Sequence, residues 1–389
     1  MNESNLSTLL QPVKASERIH ILDILRGFAI FGILLVNIIG FATPSYLPGY
    51  KITGHMPWYD EIADLAVLYL ADGKFFTIFS FLFGIGFSVQ MARAESKGRS
   101  LMTFYPRRLA ILLGIGLLHA ILFWVDDILR LYALLGFLLL AFRKRSSQTL
   151  ILWAGIFFAL NYLFSLTSQT FELHLPNLAA LGREIYQQGS FLTVVQFQAW
   201  ASMIIFARVA QIQSGNVMAL FLLGLLAGRA RFFENLNEKR PLLKKILALG
   251  LLTGIVFNII HHWLETTWLK NLDFMIGALG LSTAYICGLC LLWMHTSGAK
   301  WLEPLSQVGR MALTNYVLQS VLCSLIFNGY GLGLYEKVGS AGLWGISVAI
   351  FMLQVSLSRW WLTRFQFGPL EWLWRSLTYM QKQPFRRKV

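Results

Sequence analysis

Charge is scarce in this 389-residue chain, where only 13% of residues are Asp, Glu, Lys or Arg. Soluble domains carry roughly 25%. Acidic groups are scarcer still, 19 against 33 Lys and Arg, for a net charge of +14. A water-soluble fold of this length needs more polar surface than that, and a disordered chain needs less apolar content. Both classes are excluded. Cysteine is limited to Cys287, Cys290 and Cys323, all inside apolar runs, which leaves no disulfide framework. The chain also lacks a P-loop, a G-x-S-x-G elbow and an HExxH pair. What it has instead is 56% apolar residues, with 30 Phe and 13 Trp. The expected class is an all-α, polytopic membrane helix bundle embedded in a lipid bilayer.

A spanning helix needs about 20 mostly apolar residues to cross a core of about 30 Å. That ruler predicts ten spans, at 22–42, 74–92, 108–125, 128–142, 149–168, 213–229, 244–263, 273–294, 308–328 and 341–362. The fourth is short and the sixth is interrupted by glycine. Residues 191–211, with Gln196, Gln198, Arg208 and Gln211, are expected to lie along the outer surface or line a cavity before the sixth span. One integral domain (1–389) is expected, with a cytoplasmic segment at 1–20 and an interfacial tail at 368–389. The first 20 residues have no basic stretch followed by an apolar core, so no cleavable signal peptide is expected.

Orientation follows from the basic residues, which concentrate in cytoplasmic loops. With the N-terminus inside, 25 of the 33 Lys and Arg fall in inner segments. Outer loops hold five, at Lys51, Arg130, Arg183, Lys270 and Lys337. Both termini are therefore expected in the cytoplasm. The same distribution removes nucleic acid as a partner, because the basic runs sit where cytoplasmic loops carry them.

Ionisable groups inside a membrane are costly and mark functional sites. Asp23 and Arg26 of the first span are three residues apart and share a helix face. Asn37 lies eleven residues past Arg26 on that face, about 16 Å further along. One reading of this stripe is interhelical glue. The other is a functional path.

The first span, LDILRGFAIFGILLVN, resembles the opening helix of the YeiB family of bacterial membrane proteins. Further matching blocks are KFFTIFSFLFGIGF (74–87), RRLAILLGIGLLHAILFWVDDILRLYALLG (107–136), GRMALTNYVLQS (309–320) and FGPLEWLWRSLTY (367–379). The resemblance implies a multi-pass protein of the bacterial cytoplasmic (inner) membrane. The first helix is also similar to that of membrane acyltransferases that acylate extracellular sugars, and to that of heparan glucosaminide acetyltransferase. Those enzymes move an acyl group from cytoplasmic acyl-CoA to a sugar across the membrane. The sugar acylases have ten residues between the Arg and the His; here Arg26 is kept and Asn37 takes the His position, as in the heparan enzyme. The latter draws a catalytic His from the loop after its first span, where this chain has His55 at a different spacing.

Acyl transfer needs a base for the acceptor proton and donors for the developing oxyanion. His119 is the stronger candidate base. The very short connection between the third and fourth spans makes them antiparallel neighbours, which brings Asp127 toward His119 to orient the ring. Tyr132 is expected to face inward at similar depth, with Asn37 as a donor. Arg26, Arg107 and Arg108 would receive the phosphates of acetyl-CoA or another acyl-CoA co-substrate. Lys74 stands at a helix N-terminus, the wrong end of the dipole for a cation, which suggests an anion or carboxylate partner. Arg310 with Thr314, and Asn315 with Gln319, form i,i+4 pairs that glue helices or line a substrate path. The leading expectation is thus an acyltransferase acting on a cell-envelope glycan acceptor, with no resident cofactor and no metal. The alternative is an ion-coupled carrier using Arg26, Lys74, Arg208 and the aspartates.

Overall fold

The computed structural model describes residues 19–47, 56–98, 100–168, 178–263 and 267–387. Fourteen α-helices occur among them: α1 His20–Ala42, α2 Trp58–Ala66, α3 Lys74–Ser96, α4 Tyr105–Leu122, α5 Ile128–Ala141, α6 Ser147–Ser168, α7 Leu178–Gln188, α8 Phe191–Arg229, α9 Arg240–Trp263, α10 Thr267–Trp293, α11 Thr296–Arg310, α12 Ala312–Phe327, α13 Ser340–Arg364 and α14 Pro369–Tyr379. The chain is an all-α helix bundle. Among the described residues eight stretches are long and apolar enough to cross a membrane, or nine if the bent pair α11–α12 is counted as one span. The tenth expected span is α5, whose 14 residues rise only about 21 Å.

Helix α1 is the hub. Of its apolar window 61% is buried, against 17% for the windows in α6 and α9, which present Leu, Ile and Trp outward. A helix apolar all round is stable only when other apolar groups or lipid surround it. Glycine sets how closely the neighbours approach. A Cβ on Gly309 of α11 would fall 1.8 Å from the Asp23 carbonyl oxygen, and one on Gly27 of α1 would fall 1.9 Å from that of Leu305. The two helices therefore touch backbone to backbone, as small residues allow inside membranes.

Two expectations are corrected. Residues 191–211 do not form a separate surface stretch: they run unbroken into the sixth span as α8, 39 residues and about 58 Å long. Ser190 caps its start by accepting from the Thr193 N–H at 3.3 Å, and no proline interrupts it. The ninth span is not one straight helix either. It bends by 80° between α11 and α12. Close seating of Gly309 on α1 fixes the course of α11, and Asn315 Nδ2 donates to the Val308 carbonyl at the break, 3.1 Å away.

The start of α3 has its own irregularity. Val67–Ala71 form a π-turn, and Gly73 follows with a positive φ of 77°. A π-turn frees carbonyls from the ordinary ladder. Three of them find side chains: Leu68 O accepts from Lys74 Nζ (2.9 Å), Tyr69 O from Asn258 (3.1 Å) and Leu70 O from Tyr285 (2.9 Å).

Candidate functional site

The α4–α5 hairpin holds a fully buried polar group. Gly116 of α4 has no side chain where α5 begins; a Cβ there would sit 2.8 Å from Asp127 Oδ1 and 2.9 Å from the Arg130 nitrogen. That closeness lets Asp127 reach His119. Its Oδ2 lies 2.8 Å from His119 Nδ1, while Oδ1 accepts from the Arg130 N–H at 3.0 Å as the cap of α5. The other ring nitrogen, Nε2, is 2.8 Å from the hydroxyl of Ser320 on α12. The side chains of His119 and Asp127 are 1% and 0% exposed.

Hydrogen-bond chemistry limits where the protons can sit. An ionised carboxylate can only accept, so Nδ1 carries the proton that faces Asp127. With the ring neutral, Nε2 is the acceptor and the hydroxyl proton of Ser320 points at it. The rival acceptor for that proton, the Tyr316 carbonyl, is 3.4 Å away. Arg130 braces the hairpin from behind, donating to the Val125 and Ser202 carbonyls at 2.9 and 3.2 Å. In the turn itself, desolvation and the adjacent Asp127 push the Asp126 carboxyl up to about 6, with Arg130 and Arg208 opposing.

One turn further along α12, Ser324 donates to the Phe123 carbonyl at 3.3 Å, and Gln198 of α8 donates to the same oxygen at 3.3 Å. Beyond them is a small void of about 10 Å³, lined by residues including Phe123, Trp124, Gln198, Asn328 and Tyr335. That is room for about one water. Trp124 Nε1 is buried with no hydrogen-bond partner.

The opposite end of the bundle is basic. Arg26 Nη1 lies 2.6 Å from Asp23 Oδ1, as their spacing predicts, and the Arg26 side chain keeps 30% of its surface open. Arg108 stacks its guanidinium on Trp374 of α14 at 3.5 Å, and Trp374 Nε1 returns a hydrogen bond to the Arg108 carbonyl. Arg107 donates to the Thr378 carbonyl at 3.0 Å. Glu371 of α14 accepts from the Thr314 N–H at 3.1 Å and its hydroxyl at 2.5 Å, capping α12. The two arginines and Glu371 thus seat α14 under the bundle.

The remaining candidates are dispersed. Tyr132 is buried, but its hydroxyl meets Ser80 at 2.6 Å and its ring packs on Phe79, Phe83 and Phe221; no contact joins it to His119. Lys74 is fully buried on the Leu68 carbonyl, with its ammonium 5.1 Å from the Phe274 ring. Asn315 and Gln319 reach across to α13 instead of pairing with each other. Asn315 donates to Ser358 at 3.0 Å, and Gln319 donates to Gln354 at 2.9 Å. Gln354 in turn donates to the Asn315 carbonyl at 2.7 Å. Asn37 is half-buried on the same face of α1 as Arg26. His55 lies outside the described residues. Sequence reasoning missed Ser320 and the free Trp124 donor, since a serine in an apolar helix reads as packing. The one available signal was that Ser320 closes the GRMALTNYVLQS block.

Known proteins place the chain. The family described as "Protein of unknown function (DUF418)" matches residues 227–381. The chain is 37% identical to the uncharacterized protein YxaH of Bacillus subtilis (strain 168), over 98% of this chain and 99% of that protein. It is 29% identical to an uncharacterized 39.9 kDa protein from an amylase 3′ region of Bacillus acidopullulyticus, over 97% and 99%. To the uncharacterized protein YeiB of Escherichia coli (strain K12) it is 28% identical, over 95% and 98%. Matches running end to end make one conclusion plain: the chain belongs to the YeiB family.

Proposed function

We propose that the protein is an acyltransferase of the bacterial cytoplasmic membrane. It takes an acyl group from acetyl-CoA or a related acyl-CoA at the basic end, which faces the cytoplasm, and delivers it to a sugar-like envelope acceptor at the opposite end. The observation that carries this reading is His119, a buried imidazole oriented by Asp127 with its free nitrogen turned to a hydroxyl. Such a ring removes a proton from an attacking hydroxyl and returns one to a leaving thiolate. Arg26 supports the donor end, because a half-open guanidinium can exchange Asp23 for a phosphate. Along α4, the eleven residues from Arg108 to His119 correspond to about 17 Å, a gap for the extended arm of CoA to cover.

Thermal unfolding of the purified protein with acetyl-CoA tests the reading. At 100 times its dissociation constant a ligand adds about 2.7 kcal/mol, so the melting temperature should rise, and CoA thiol should be released when glucosamine is added. No shift, together with solute uptake into vesicles free of CoA, would favour the ion-coupled carrier. Orientation is checked by reporters. Fusions after Arg145 or Lys239 should read as cytoplasmic and those at Lys51 or Lys270 as external.

A further inference from the structure

We infer that Ser320 is a nucleophile that carries the acyl group between donor and acceptor as an ester on its Oγ. The inference rests on the acyl-transfer reading above and deepens it, from a base acting on the acceptor to a two-step relay through the protein.

The geometry is that of a serine activated through histidine by a carboxylate, with 2.8 Å between Ser320 Oγ and His119 Nε2 and 2.8 Å between His119 Nδ1 and Asp127 Oδ2. Interhelical glue would need only a hydrogen bond, and Asn315, Gln354 and the adjacent Gln319 supply that with neutral amides. Here a buried carboxylate faces one ring nitrogen, its second oxygen is spent on a helix cap, and the other ring nitrogen faces the serine hydroxyl, the arrangement in which a neutral ring takes the serine proton. Asp127 and Ser320 come from elements about 190 residues apart in sequence, and the arrangement needs both. Ser324 continues the same face of α12, and the void beyond is lined by Asn328 and by Trp124, whose Nε1 is buried with no acceptor. Unused donors of that kind suit an oxygen that gains charge during reaction.

The chemistry balances without an added reagent. Ser320 Oγ attacks the thioester carbonyl carbon while its proton passes to His119 Nε2. The C–S bond breaks, and the departing thiolate takes that proton, leaving CoA thiol and acyl-Ser320. The acceptor hydroxyl then gives its proton to Nε2 and attacks the same carbon. The C–Oγ bond breaks and Oγ recovers the proton.

The test uses the full-length wild-type protein in detergent or nanodiscs. Radiolabelled acetyl-CoA is added without acceptor, the mixture is quenched in acid, and peptides are mapped; a fluorophosphonate probe is applied in parallel. The expected result is acetyl on the peptide carrying Ser320, chased off by glucosamine, with fluorophosphonate on the same residue. Ser320→Ala should keep the acetyl-CoA-induced thermal shift while losing the label and at least about 1,000-fold of transfer. If folded Ser320→Ala transfers acetyl at the wild-type rate, the relay is overturned while the acyltransferase reading stands. Should acetyl-CoA neither shift the melting temperature nor label the protein while fluorophosphonate still modifies Ser320, the nucleophile is supported and the acyl-CoA reading is overturned. Silence in every assay overturns both.

Discussion

The two ends of the bundle treat charge in opposite ways. At the basic end Arg26 and Asp23 touch at 2.6 Å, yet their side chains remain 30% and 10% exposed. At the other end His119 and Asp127 touch at 2.8 Å with exposures of 1% and 0%. In the first pair water or a ligand can compete for the half-open arginine but not for the buried aspartate, so the pair is exchangeable on one side only. The second is desolvated, and removing one member strands the other at a cost of several kcal/mol. Exposure keeps a site exchangeable; burial keeps it aligned. A protein that captures a charged donor at one end and does chemistry at the other needs both.

The sharpest way to break that comparison is His119→Gln. Glutamine keeps a hydrogen-bonding side chain of similar length, so the helices should still pack while proton transfer is lost. Turnover measured as CoA release should fall about 100-fold to 10,000-fold, with acetyl-CoA affinity nearly unchanged. Equal losses in affinity and turnover would mean that the buried pair serves binding as well. Full activity in folded His119→Gln, with inactivity in His55→Gln, would move the base to the loop after α1.

These contrasts were unevenly legible in the sequence. The spans, the Asp23–Arg26 pair and the His119–Asp127 pair could be read because each depends on local spacing or on a hairpin too short to separate its helices. Ser320, Gln354 and the Glu371 cap could not, since each meets its partner across the fold. The 80° bend at Met311 was hidden for a related reason. Its cause is the seating of Gly309 against the backbone of α1, a contact that hydropathy does not record. Asn315 and Gln319 were read as partners of each other from their i,i+4 spacing. Both instead reach α13, because a buried amide takes the acceptor that packing supplies.

A middle-sized effect should separate charge pairing from ligand capture at the basic end. Arg26→Gln alone leaves Asp23 without its cation and should lower the melting temperature. Adding Asp23→Asn removes the stranded charge and should restore it. Acetyl-CoA affinity should stay depressed in the folded double variant, by about 10-fold to 100-fold, since hydrogen bonds to charged groups are worth about 1.5–3 kcal/mol. Dissociation constants from titration calorimetry decide the matter. Wild-type affinity in the double variant would make the pair purely structural.

The smallest expected effect concerns Lys74, for which the sequence suggests an anion or a carboxylate partner and which the fold places on a carbonyl, within electrostatic reach of Asp72. Its ammonium has no exposed surface, donates to the Leu68 oxygen at 2.9 Å and faces the Phe274 ring at 5.1 Å. Those contacts explain a cation at the N-terminus of α3 without any ligand, because the π-turn before it leaves a carbonyl to be satisfied. Two opposing effects follow in Lys74→Met. The Leu68 carbonyl loses its donor, which costs about 1–3 kcal/mol, and Asp72 loses its nearby cation, while the expense of burying an ammonium disappears. They largely offset, so the melting temperature should move by only a few degrees and acetyl-CoA affinity should stay within about twofold. A tenfold loss of affinity with an unchanged melting temperature would instead give the far end a charge that binds. The contrast between an exchangeable end and an aligned one would then have to be redrawn around Lys74.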